Sequence, residues 1–318
     1  MLAKQSIRAP DTIGHRIVHG GPAVRDHARV DDVMLAELNA AAAFAPLHVP
    51  PALSLLQAAR ARFPDVPQVA CLDTAFHRTM PGVASTLPIP AALRGRGIER
   101  YGFHGLSCES IVRQLGADLP ARVVIAHLGH GASVTAVSSG RSIDTSMGLT
   151  PSGGIMMSTR TGDIDPGVLL YALRECGGDA TQLETLIDRR SGLLGVSGVS
   201  DDMRVLRDAA VDRADARLAI DMFCYAVRKQ ISAMGAVLGG IDLLVFTGGI
   251  GEHDPLARAD ICIGLDAWGI GSGNGDRSRV RVMATDEDSE IARHAHDIAF
   301  GTGAATSASA VPSATRRA

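Results

Sequence analysis

Two glycine-rich turns mark places where the backbone could meet phosphate. His127-Leu128-Gly129-His130-Gly131-Ala132-Ser133 follows the apolar run RVVIA, and Gly248-Gly249-Ile250-Gly251-Glu252-His253 follows IDLLVFT. A phosphate chain needs several N–H groups within reach, and glycine removes the side chains that would hold it off. One such turn is equally a tight hairpin. Two, each directly after a buried strand, point to a nucleotide held between them. Arg16, Asp73, His104 and Arg160 are set in other apolar or glycine-rich text. Taken singly, each arginine reads equally as a snorkelling or salt-bridged surface residue, and a lone histidine says no more. Together, two guanidinium groups, an imidazole and a carboxylate could clamp a carboxylate and a phosphoryl group, because the planar guanidinium fork matches both. Spacing along the chain does not show whether they converge. Neither Gly-Lys-Ser nor Gly-Lys-Thr occurs, which excludes a P-loop.

The elements that must hold these residues follow from periodicity and punctuation. Residues 13–21 read as a short strand running into a glycine loop. Residues 31–44 predict an alanine-rich helix that ends before Pro46, Pro50 and Pro51, and 51–62 predict a second helix. Residues 68–72, QVACL, form a short apolar strand that stops at Asp73. From Arg122 the text becomes RVVIAHL, SVTAVSSG and RSIDTS with tight turns between them, which is two successive hairpins. Helices resume at Pro166, and 214–238 carries Leu218, Met222, Tyr225, Val227, Ile231, Met234 and Leu238 in a helical rhythm. Hairpins, then helices, then strand, glycine turn and helix make an α/β protein with mixed sheets. Residues 301–318 are small and polar and are expected to be a disordered tail.

At 318 residues the chain exceeds one ordinary core, so two domains are expected. Aromatic residues make up 3%, so the cores must be built from aliphatic side chains. A net charge of −3, with Lys4 and Lys229 the only lysines, leaves no basic stripe for nucleic acid and no polybasic face for a membrane. No apolar run suits a signal peptide or a membrane span. Five cysteines, far apart and odd in number, suggest neither a disulfide framework nor a zinc site; a reducing cytoplasm is the simple expectation.

Eleven segments, GHRIVHGG, APLH, LDTAFHRTMP, RYGFHG, HLGHGAS, SIDTSMGLTP, STRTGDIDP, SGLLGVSG, SDDMR, FTGGIGE and TDEDSEIAR, occur in the order seen in the acetate kinase family. The chain resembles that family from Ile13 to about Ile298. The resemblance implies a two-domain actin-like ATPase fold, a duplicated ribonuclease-H-like α/β unit with ATP in the cleft. Residues 1–73 plus 288–300 would form the first domain and 74–287 the second, nucleotide-binding domain. Nothing in Met1–Thr12 resembles the family's opening strand and serine-rich phosphate loop, so the first domain is expected to be truncated at its N-terminus. The short chain is accordingly expected to have little activity until extended upstream.

The implied reaction is reversible ATP-dependent phosphorylation of acetate to acetyl phosphate. Propionate or another short-chain carboxylate is the alternative substrate, and a catalytically silent truncated paralogue that binds nucleotide is the alternative class. Arg16 and Arg160 would bind the substrate carboxylate and the transferring phosphoryl group, with His104 donating to its oxygens and His48 close by. Asp73 would be the essential carboxylate, and Glu287 resembles the family's magnesium-binding glutamate, with Mg²⁺ or Mn²⁺ as the ion. Val18, Leu47, Phe103 and Pro151 match the pocket for the methyl group. ATP would lie on His127, Leu128, Gly129, His130 and Gly131, on Asp202, Met203 and Arg204, and on Gly249, Ile250, Gly251, Glu252 and His253. The family also implies a cytoplasmic homodimer. His130, Val49, Ser152-Gly153 and His253 depart from the family's usual residues. A carboxylate substrate is already ionised at pH 7, with a pKa of roughly 4–5, so no general base is needed. The work falls to alignment and charge neutralisation.

Overall fold

The computed structural model describes residues 9–46, 48–271 and 279–301. Leu47, expected in the apolar pocket, and 302–318 of the expected tail lie outside the described residues. The strands are β1 (Ile13–Ile17), β2 (Ala28–Arg29), β3 (Gln68–Leu72), β4 (Arg122–Leu128), β5 (Ala132–Ser138), β6 (Arg141–Thr145), β7 (Leu243–Thr247) and β8 (Val280–Val282). Between β2 and β4 come α1 (Asp32–Ala40), α2 (Val49–Arg62), two short turns α3 (Gly82–Ser85) and α4 (Ala91–Arg94), and α5 (Gly105–Leu115). After β6 the chain is mostly helical: α6 (Pro166–Glu175), α7 (Ala180–Arg189), α8 (Gly192–Ser197), α9 (Met203–Ala209) and α10 (Ala214–Leu238). α11 (Gly248–His253), α12 (Pro255–Cys262) and α13 (Glu287–Phe300) complete it. The second glycine segment, expected as a loop, is therefore itself the short helix α11.

The strands form two sheets, one in the order β1-β3-β2 and one in the order β6-β5-β4-β7-β8. In the larger sheet β4, β5 and β6 are an antiparallel meander, the two expected hairpins, while β7 runs parallel to β4 and β8 parallel to β7. Alternation along β4 divides its side chains between two cores. Val124, Ala126 and Leu128 face α10 through Phe223, Val227 and Ile231, and Val123 and Ile125 face α5 through Cys108, Ile111 and Leu115. The smaller sheet is likewise covered twice. Ile17, Ala70 and Leu72 pack on Leu38 of α1 and on Val49, Leu53 and Leu56 of α2. Val69 and Cys71 pack on Leu106 of α5 and Ala295 of α13. Thus α5 touches both sheets, and the last helix returns to cover the first one.

Among the described residues six helices open with an aspartate whose carboxylate accepts a first-turn N–H: Asp31, Asp165, Asp179, Asp202, Asp254 and Asp286. Each cap stabilises its helix by about 1 kcal/mol. α10 spans the 25 residues that periodicity marked out and ends at Gly239 in the left-handed conformation. Its buried face differs from the bulky rhythm read in the sequence. Leu218, Met222 and Tyr225 are exposed, while Ala216, Ala219, Ile220, Phe223 and Cys224 are buried with Val227, Ile231 and Met234. The helix is apolar on more than one side, so its large residues alone do not mark the buried face. Among the described residues no helix is long and apolar enough to cross a membrane.

Candidate active site

The parallel pairing of β1 with β3 places Arg16 opposite Cys71, two residues before Asp73. From there Arg16 grips Asp73 with two bonds: Nε donates to Oδ1 at 3.2 Å and Nη2 to Oδ2 at 2.7 Å. The same Nε lies 3.4 Å from Oε2 of Glu287, the first residue of α13. Ser107, one turn into α5, donates to the other oxygen of Glu287. Four elements therefore meet around one guanidinium group.

His104 is the N-cap of α5 and adopts a left-handed backbone, φ 60° and ψ 28°, which is uncommon for a side chain with a Cβ. The next residue explains how it is held. Gly105 N–H donates to the Asp73 carbonyl at 2.8 Å, and a Cβ on residue 105 would sit 2.2 Å from that oxygen. Glycine here lets α5 begin against the end of β3. The His104 ring stacks on His127 at 4.2 Å and 27°, and its Nδ1 lies 3.0 Å from Ser133 Oγ. Arg160 comes in from the loop before α6, donating from Nη1 to the Pro151 carbonyl at 3.0 Å. A Cβ built on Gly131 would lie 3.2 Å from His104 Nε2 and 3.4 Å from Arg160 Nη1, so both side chains border the space above this glycine. Asp73, His104, Arg160 and Arg16 do converge.

Electrostatics set the protonation states. Burial pushes the Asp73 carboxyl up to about 6, against the pull of Arg16, and Asp73 in turn raises Arg16. Burial, reinforced by the positive charge of Arg16 and Arg160, holds His104 well below its ordinary value. Burial lowers His127 to about 4 and Arg160 below its usual value. His104 and His127 are therefore neutral at pH 7, and each ring carries one proton. Among the described residues the buried Nδ1 of His127 has no hydrogen-bond partner.

Of the expected apolar pocket, Phe103 and Pro151 are buried and Val18 is half-buried against the core that contains Phe103. Two histidines not singled out in the sequence support this wall. His77 bridges Ser142 Oγ and the Phe103 carbonyl, each at 2.9 Å. His19 packs against Tyr101 and Phe103, at ring distances of 4.3 and 5.6 Å. Burial, with smaller contributions from Arg160 and Arg16, lowers His48.

Beyond Gly129 a cavity of about 680 Å³ opens between the two glycine segments. Gly129, His130, Asp202, Met203, Arg204, Gly249, Ile250 and His253 line it. Leu128, Gly251 and Glu252 do not. Leu128 is core, Gly251 packs beside the end of β7, and Glu252 turns back to accept the Gly248 N–H at 2.9 Å. His127 turns to His104 instead. Asp202 is engaged as the cap of α9, accepting from Arg204 N at 2.8 Å and Nη2 at 2.6 Å. Ser158, Asp201, Arg207, Asp208 and Asp254 also line the cavity and were not singled out in the sequence. Arg207 follows Arg204 at helical spacing, the one signal that pointed to it.

His27, Glu109 and His294 offer three potential ligand atoms within 4.8 Å of one another. Their hydrogen bonds argue against a cation. The Leu72 N–H donates to His27 Nδ1 at 2.9 Å, so a neutral His27 keeps its proton on Nε2. Arg293 already places positive charge on Glu109, at 2.7 Å. The group instead ties the edge near β2 to α5 and α13.

A sequence profile described as the Acetokinase family matches residues 2–296. The acetate kinase of Heliobacterium modesticaldum is 42% identical over 317 residues, covering 93% of this chain and 80% of that protein. A Porphyromonas gingivalis acetate kinase structure superposes with a TM-score of 0.83 at 36% identity, covering 91% of this chain and 78% of that one. A Francisella tularensis propionate kinase gives 0.85 at 37%, covering 91% and 79%. The architecture is accordingly the actin-like ATPase fold of these kinases, and the chain belongs to the acetokinase family.

Proposed function

We propose that this chain transfers the γ-phosphoryl group of ATP reversibly to acetate, giving ADP and acetyl phosphate. The carrying observation is the space above Gly131, bordered by His104 and Arg160, with the Arg16–Asp73–Glu287 group beside it and the cavity beyond Gly129 next to it. Acetate arrives ionised, so the residues need only align it and neutralise charge. Arg16, made rigid by two bonds to Asp73, orients the carboxylate. Arg160 and the neutral His104 donate to the transferring phosphoryl oxygens, where fixed donors stabilise the developing charge without reorganising. Asp73 is an arginine orienter, each of its oxygens accepting from Arg16.

Magnesium, or manganese in its place, fits the donor set. Glu287 presents a partly exposed carboxylate beside Arg16, and hard oxygen ligands are what these ions take. When bound, such an ion supplies neutralising charge to the phosphate oxygens. Propionate is the second reading, favoured by the likeness to the Francisella tularensis propionate kinase. Val168, Leu170 and Tyr171 of α6 are exposed apolar residues, which supports a homodimer. Five free thiols support a cytoplasmic location. Division into 1–73 plus 288–300 and 74–287 is supported by the packing of α13 on the smaller sheet.

The test is acetyl phosphate, trapped as its hydroxamate, from ATP, magnesium and acetate. Arg160→Leu is expected to lose about 3 kcal/mol of transition-state stabilisation, more than 10²-fold in kcat, while calorimetric ADP binding persists. A folded chain that binds ATP and forms no acetyl phosphate would overturn the proposal.

A further inference from the structure

We propose that Ser133 is a positioning residue that fixes the tautomer of His104: its hydroxyl donates to Nδ1, so the single ring proton stays on Nε2, facing the space above Gly131. The inference rests on the reading of His104 as a donor to the phosphoryl group, and deepens it.

A neutral imidazole donates from one nitrogen and accepts at the other. His104 is held neutral, so it can donate to a phosphoryl oxygen only if the proton is on the nitrogen that faces the reaction. That nitrogen is Nε2, the atom 3.2 Å from a Cβ built on Gly131. The other nitrogen, Nδ1, is 3.0 Å from Ser133 Oγ. If Nδ1 carried the proton, Nε2 would turn a lone pair toward an anionic oxygen and repel it.

Burial of the serine decides between the two arrangements. Ser133 is fully buried in β5, opposite His127 in the ladder. Among the described residues its Oγ makes no hydrogen bond other than that to His104. A hydroxyl has one proton to donate, and a buried donor left without an acceptor costs free energy comparable to a lost hydrogen bond. Were Nδ1–H to donate to Oγ, the serine proton would have no acceptor. With Oγ–H donating to Nδ1, both groups are satisfied and Nε2 is left as the donor. The ring plane is fixed as well, by the stack on His127 at 4.2 Å. The serine thus acts through His104 and touches no substrate.

Ring ¹⁵N NMR of histidine-labelled protein at pH 7 reads the tautomer directly, with the His104 signals identified by their loss in His104→Gln. The wild type is expected to show a protonated Nε2 and an unprotonated Nδ1 at His104. Ser133→Ala is expected to shift His104 toward a mixture of tautomers, and Ser133→Thr, which keeps the hydroxyl, to restore the wild-type pattern. In the acetyl phosphate assay Ser133→Ala is expected to lower kcat about tenfold or more, leaving the KM for ATP within about twofold. A wild-type His104 protonated on Nδ1 overturns the inference, and that measurement stands even if Ser133→Ala does not fold. An unchanged tautomer in a folded Ser133→Ala overturns it too. The NMR result does not depend on turnover, so an Nε2–H tautomer in a chain without kinase activity would sink the proposed reaction and leave the Ser133 assignment intact.

Discussion

Replacing Gly131 by alanine places one methyl group where the proposed chemistry needs open space. The new carbon would stand 3.2 Å from His104 Nε2 and 3.4 Å from Arg160 Nη1. The first distance is a few tenths of an ångström tighter than comfortable contact, so His104 must yield slightly. The larger effect is occupancy, because the methyl fills the gap that a phosphoryl oxygen must share with both donors. Displacing reacting groups by about 1 Å costs roughly 10²-fold in rate, or about 2.7 kcal/mol. The fold should tolerate the change. Gly131 is outside the left-handed region, and alanine at a compatible site stabilises by about 0.4–1 kcal/mol through the unfolded chain. Gly82→Ala, in α3 and outside the site, is the matched control, since among the described residues a Cβ there meets nothing within 4 Å. Hydroxamate trapping, a thermal melt and ADP calorimetry on the three proteins give the comparison. Gly131→Ala should melt within a few degrees of wild type and lose about 10²-fold in kcat, while Gly82→Ala retains most of it. A Gly131→Ala enzyme with kcat within twofold of wild type would refute this placement of the reaction space.

Asp73 gives a stability prediction with a definite sign. Its folded carboxyl, at about 6 against an ordinary 3.8, holds its proton more tightly than the unfolded one. The associated stability is full below pH 3.8 and is lost as pH rises through about 6. About two pKa units correspond to roughly 3 kcal/mol, and urea melts at pH 4 and pH 7 should show this component disappear in Asp73→Asn; equal slopes in both proteins would count against it. Val18→Ala should raise the propionate-to-acetate ratio of kcat/KM, by roughly 1–3 kcal/mol for a methylene accommodated. A flat ratio would remove Val18 from the pocket wall.

Local signals carried much of the fold. β3 and α10 match their expected limits because strand alternation, helical spacing, Asp73 and Gly239 are all written within a few residues of the boundary. Convergence of Arg16 with Asp73 was not legible, since it depends on parallel pairing of strands more than fifty positions apart. The side-chain partners of Ser107 and Ser133 were not legible either. A buried serine gains meaning only from the group it touches, and for Ser107 that group is 180 positions away. Within the glycine segments, sequence could not separate residues facing the cavity from those facing inward. Glu252 looks like a ligand in the text and is a brace for the turn in the fold.

His104 and Glu287 head two helices, α5 and α13, that lie against each other. One turn along α13 the fully buried Glu290 accepts from Arg113 of α5 and from Arg293, and further on Arg293 and His294 hold Glu109 of α5. These bonds set the axial register of the helix pair, and so the separation of the two side chains at their heads. The pair is a ruler whose graduations lie far from the substrate. Selection on catalytic spacing would then be felt at Arg113, Glu109 and Glu290, and among related chains these positions should change in concert with their partners rather than one at a time.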